Sequence, residues 1–156
     1  MVTICLLPFA MSFVVADQVI MKDGTVYKGK ILVDTDKAIR FIEDYRNILH
    51  DLLAPDIFPV EIAHALTKAE RQNRIKPKAS WQAWLYVMGD APQLIPWSSL
   101  MPRAFAISSK MRIGIYDCLY VALAEQEKCK LITADEKLIK TLQRQFPFIL
   151  PLSSLP

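Results

Sequence analysis

The stretch over residues 116–138, YDCLYVALAEQEKCKLITADEKL, restricts what this chain can fold into more than any other. After Asp117, the residues Leu119, Val121, Ala122, Leu123 and Ala124 cover most sides of a helix. A helix apolar all round needs protein on nearly every side. The run KLITA (130–134) then has the length and character of a buried strand, and Asp135 has the short acceptor side chain that starts another helix. Helices alternating with short, nearly continuous apolar strands point to a parallel sheet with helices packed on its faces. Such a return brings both helix N-termini to the carboxyl edge of the sheet, where open parallel sheets bind their ligands. Asp117 and Asp135, 18 residues apart, stand at those two N-termini. Each also has an ordinary structural role, because an acid in the first turn favours the helix dipole and an N-cap satisfies a free N–H.

The same alternation extends towards the N-terminus. Residues 52–56 read as a short buried strand broken by Pro55, and 57–75 as an amphipathic helix with Ile57, Val60, Ala63 and Leu66 on one side. A looser helix is expected over 78–88. The segment DAPQLIPWSSLMP is expected to be irregular with one short strand, followed by helices over 103–110 and 116–128 separated at Gly114. Strand 130–134, a helix over 135–145 and a closing strand at 148–150 complete the pattern. Nearer the start, QVIMK and TVYKGKILV flank Asp23-Gly24, the dipeptide of a tight hairpin. A helix follows, with Ala38, Ile39, Phe41, Ile42, Tyr45 and Leu49 at helical spacing. A chain of 156 residues, 53% hydrophobic and 22% charged, suits one ordered domain with a real core. The expected division is an atypical leader and hairpin over 1–33, able to supply the first strand, and an α/β domain over 34–156.

The first sixteen residues are almost wholly apolar and end in Val14-Val15-Ala16, which resembles a signal-peptide cleavage site. The positive start of such a signal is missing, since no Lys or Arg precedes Lys22, and Pro8 interrupts a run too short to span a bilayer. A cytoplasmic location is expected, with export as the minority alternative, and no membrane span.

Competing chemistries are thinly supported. Four glycines without a glycine-rich loop exclude a P-loop and a dinucleotide fingerprint. Two histidines, His50 and His64, without companion cysteines make a structural zinc site a poor reading. Cys5, Cys118 and Cys129 lack metal-ligand spacing and fit reduced thiols. The serines lack a nucleophile elbow. Nineteen Lys and Arg against sixteen Asp and Glu leave a mildly basic chain, compatible with a polyanionic substrate. The carboxylates offer more. Asp34 ends the apolar run ILV in KILVDTDKAI, and Glu61 shares one face of its helix with His64 and Lys68. That stripe reads either as a solvated surface or as the lining of a cleft. Three or four carboxylates converging on one sheet edge repel one another, and a hard divalent cation, Mg²⁺ or Mn²⁺, is the natural compensation.

Three segments, LLAPDIFPVEIAHAL, YDCLYVALAE and LITADEKLIK, resemble in order and context the later motifs of PIN-domain ribonucleases of the VapC toxin type. The resemblance implies a three-layer α/β/α fold with a central, mainly parallel sheet and a metal-dependent endoribonuclease site. It implies Glu61, Asp117 and Asp135 as the second, third and fourth acids, Thr133 as an associated hydroxyl and His64 as an accessory polar residue. With Asp34 as first acid, these carboxylates would hold Mg²⁺ or Mn²⁺, and Lys68, Arg71, Arg74 and Arg112 are candidates for RNA phosphate contacts. A cognate antitoxin and a homodimer are implied as partners. The front of the chain departs from the pattern: Asp34 lies only 27 residues before Glu61, closer than the family's first acid usually stands, and Asp17 lies 44 before it. That departure keeps open a degenerate, non-catalytic module that binds RNA or an antitoxin-like protein. A phosphatase using Asp34 and Asp36 is the weaker third reading, because the glycine turn it needs is absent. A small exported β module fused to the domain is a further one.

Overall fold

The computed structural model describes residues 53–76, 79–89, 91–133 and 135–151. The leader, the hairpin about Asp23-Gly24, the helix expected before Leu52, and Asp17 and Asp34 lie outside them. The described elements run β1 (Leu53–Pro55), α1 (Phe58–Arg71), α2 (Ala79–Gly89), β2 (Gln93–Ile95), α3 (Trp97–Met111), α4 (Ile115–Gln126), β3 (Leu131–Thr133), α5 (Glu136–Leu142) and β4 (Ile149–Pro151).

The described strands form two parallel pairs. In the first, Leu53, Ala54 and Pro55 lie opposite Gln93, Leu94 and Ile95; in the second, Leu131, Ile132 and Thr133 lie opposite Ile149, Leu150 and Pro151. Parallel neighbours need a long crossover. Here α1 and α2 make the first, and α5 makes the second. The helix α4 packs against both β1 and β3. Its seven consecutive residues 118–124 are all buried, as a helix apolar on every side requires. Together with Leu53, Phe58, Ile62, Leu100, Leu131, Leu138 and Ile149 they form one core.

Two prolines bear on the sequence reading. Pro55, read as the residue that breaks its strand, is the last residue of β1. The N–H of Asp56 donates to the Ile95 carbonyl at 2.8 Å, so the position Pro55 occupies faces away from β2 and loses no ladder bond. Residues 97–102 were expected to be irregular, but they open α3, with Pro102 inside it. An interior proline removes a helical hydrogen bond. Burial of Leu100, Ala104 and Ile107, spaced as one stripe facing α4, outweighs that loss. The start of α3 is capped from far away in sequence: Asp56 Oδ1 accepts from the Trp97 N–H at 2.8 Å.

The helix expected over 57–75 stops at Arg71 because Asn73 takes a left-handed φ of 55°, and the Arg74 N–H returns to the Ala69 carbonyl at 2.9 Å. No described helix is long and apolar enough to cross a membrane.

Candidate active site

Glu61 and Asp117 stand in the first turns of two helices, near enough for the charge of Asp117 to act on Glu61. The sequence reading placed Glu61 mid-helix on a stripe with His64 and Lys68. In the structure it belongs to the first turn of α1 and is half-buried, whereas His64 is exposed; Lys68, also half-buried, lies in the last turn. The stripe is therefore divided: its N-terminal end turns inwards and His64 faces water. Glu61 Oε2 accepts a hydrogen bond of 2.5 Å from the hydroxyl of Tyr120, a fully buried residue of α4. Burial lifts the Glu61 carboxyl from an ordinary 4.5 to about 7; the Tyr120 hydrogen bond opposes the rise and the charge of Asp117 adds to it.

Asp117 is half-buried, and the chain leaves room for it at Gly114, where a Cβ would stand 3.3 Å from Asp117 Oδ2. Burial, with the Asp117 charge behind it, pushes the adjacent Cys118 thiol up to about 12. That thiol stays protonated at neutral pH and is no nucleophile. Cys129 is likewise buried and unbridged.

Asp135 serves as the N-cap of α5. Its Oδ1 accepts from the Leu138 N–H at 2.9 Å, and its own N–H donates to Thr133 Oγ1 at 3.0 Å. Thr133, completely buried at the end of β3, thus fixes the backbone from which Asp135 projects. Among the described residues, no three His, Cys, Asp or Glu side chains form a group able to hold a metal ion. The structure brings Glu61 and Asp117 together, shows Asp135 engaged as a cap, and leaves Asp34 outside the described residues. The Glu61 and Asp117 pair nonetheless has the donor chemistry of a hard divalent cation: oxygen atoms only, close enough to repel, one of them largely desolvated. Of the basic candidates, Arg71 is exposed, Arg74 has its Nε buried without a hydrogen-bond partner, and Arg112 is the exposed left-handed residue that ends α3.

Tyr120 was absent from the sequence reading. Its signal was present: a hydroxyl three residues after Asp117, on a helix with apolar neighbours all round, must find a partner inside the protein. Tyr120→Phe keeps the ring and removes that partner from Glu61. We expect it to weaken Mn²⁺ binding by about tenfold, measured by calorimetry, with a stability loss of only about 1 kcal/mol in urea. Unchanged Mn²⁺ affinity would refute an orienting role for the hydroxyl.

A model of the PIN domain matches residues 31–142. The chain belongs to the PIN domain family. Within that family it is similar to a VapC ribonuclease of Mycobacterium bovis and to ribonuclease VapC9 of Mycobacterium tuberculosis, each 32% identical over 99 residues, which span 62% of this chain and 74% of the relative. Membership accounts for the α/β architecture with parallel strand pairs. The PIN match also takes in Glu61, Asp117, Thr133 and Asp135, and it opens at Ile31, three residues before Asp34.

Proposed function

We propose that this PIN-domain protein is a Mg²⁺- or Mn²⁺-dependent endoribonuclease that hydrolyses RNA phosphodiester bonds, acting as the toxin of a toxin–antitoxin pair. The observation that carries the reading is the buried Glu61 beside Asp117, two carboxylates whose repulsion within a mainly apolar site is unfavourable without a cation. In this reading Asp34 and Asp135 complete the acidic set, and the family match opening just ahead of Asp34 supports assigning it the first position. A divalent ion at such a site supplies charge neutralisation at the scissile phosphate and activation of water for in-line attack.

The protein's own residues do the rest. Glu61 gives up its proton to enter the site as a carboxylate, and Tyr120 keeps that carboxylate aimed by holding one of its oxygens. Thr133 holds the backbone of Asp135, so the fourth acid leaves from a fixed point at the end of β3. The relatives' description as ribonucleases supports RNA as substrate, and a protein antitoxin and a homodimer belong to the same proposal as what the resemblance implies.

Cleavage of RNA by the purified full chain is expected with Mn²⁺ or Mg²⁺, to fall to background in EDTA and to return on adding back the metal, followed on a denaturing gel. Cleavage that persists in EDTA overturns the metal dependence. RNA binding without cleavage under any divalent ion favours the degenerate module.

A further inference from the structure

The turn between α1 and α2 and the first half of α2 carry chemistry that the carboxylate site does not use. Over residues 68–76 stand four cations, Lys68, Arg71, Arg74 and Lys76, and a single acid, Glu70. Glu70 is engaged, since Ser80 at the start of α2 donates its hydroxyl hydrogen bond to that carboxylate. None of the four cations takes part in an ion pair among the described residues, and Arg71 and Lys76 are exposed. The residue after Ser80 is Trp81, itself 60% exposed. Its indole stacks on that of Trp84 with centroids 5.2 Å apart and planes 7° from parallel. Trp84 is itself fixed, donating its Nε1–H to the Pro59 carbonyl at 3.0 Å, in the first turn of α1 that also carries Glu61.

A large flat ring exposed to water, stacked on Trp84 and carried by the helix that follows a turn of cations without ion pairs among the described residues, has the elements of a single-stranded nucleic-acid platform: cations for the phosphates and an aromatic face for a base. Exposed Trp and Arg also anchor protein partners, but four cations against one engaged acid over residues 68–76 favour a polyanion. We infer that this face of α1 and α2 binds single-stranded RNA, with a base stacked on Trp81 and phosphates on Arg71 and Lys76. The inference rests on the ribonuclease reading for the identity of its ligand and extends it to a surface whose Arg71 lies ten residues, about 15 Å along α1, from Glu61.

Binding is measured separately from cleavage, by fluorescence anisotropy of labelled twelve-nucleotide oligo(U) and oligo(A) on the full chain in EDTA. Trp81→Ala is expected to weaken binding by about tenfold for both oligonucleotides, and Trp81→Phe to retain most of the affinity, because stacking tolerates any base. Arg71→Gln with Lys76→Gln is expected to flatten the slope of log affinity against log salt by about 1.4, the release of two counterion contacts on a single strand. Both sites are exposed, so thermal melting of each variant is expected to match the wild type. Wild-type affinity in Trp81→Ala, or no RNA binding by the wild type in EDTA, overturns the inference. Loss of dimer or of an acidic partner in Trp81→Ala, with RNA affinity unchanged, overturns it too, and assigns the face to protein. If RNA is bound through Trp81 but no metal restores cleavage, the platform stands and the ribonuclease reading fails.

Discussion

Glu61→Gln is expected to abolish RNA cleavage while making the metal-free protein more stable at pH 8. The two effects share one cause. The wild-type carboxyl is largely buried, and its pKa in the folded protein is about 7 against an ordinary 4.5. Below about 4.5 the group is protonated in folded and unfolded chains alike, so it costs nothing. Between 4.5 and 7 the unfolded chain ionises first and binds fewer protons than the folded one, so stability falls as pH rises; above 7 the whole loss is present. That loss is on the order of 3 kcal/mol. Glutamine does not titrate, and its amide oxygen can still accept from Tyr120. The stability advantage of Glu61→Gln over wild type should therefore be near zero at pH 4, grow through the window from 4.5 to 7, and level off above it. Urea unfolding in EDTA at several pH values measures this, and a difference independent of pH would rule the explanation out.

Asp117→Asn is expected to lower the cleavage rate by more than about 100-fold, because it withdraws a charged oxygen donor from the proposed metal site and leaves the shape unchanged. Its effect on folding should be small, within about 1 kcal/mol. The first turn of α4 loses a favourable interaction with the helix dipole. Against this, Glu61 is released from a neighbouring negative charge that holds its pKa up. Single-turnover cleavage together with thermal melting separates the outcomes. A variant that folds normally but cleaves at the wild-type rate removes Asp117 from the reaction. A variant that is much less stable than wild type contradicts the balance of terms just given. In either substitution, a stable fold with lost chemistry marks a site held against its own electrostatics for function.

Much of the described domain was legible because its signals are local. Seven successive buried residues in α4 follow from an apolar run that no surface helix tolerates, and the cap at Asp135 follows from a short acceptor before the helix pattern. Pro102 misled for the opposite reason. It disfavours a helix by itself, but Leu100, Ala104 and Ile107 gain more from packing on α4 than one hydrogen bond returns. Pro55, by contrast, closes β1 as its sequence signal indicates.

Asp117 and Asp135 were nameable from their positions at helix starts, and their alternation with a strand was enough to expect one sheet edge, whereas Glu61 read as mid-helix. Which acids meet is another matter. Glu61 and Tyr120 are 59 positions apart, and the hydrogen bond between them exists only because α1 and α4 both pack against the same core. The sequence by itself determined that this is an α/β chain of helices and short parallel strands with Asp117 and Asp135 at helix starts, since periodicity and capping act over a few residues. Only the tertiary structure decided that Glu61 would be buried, charged against Asp117 and held by Tyr120, and that His64 would turn to water, because desolvation and Coulomb interaction depend on distances between elements remote in sequence.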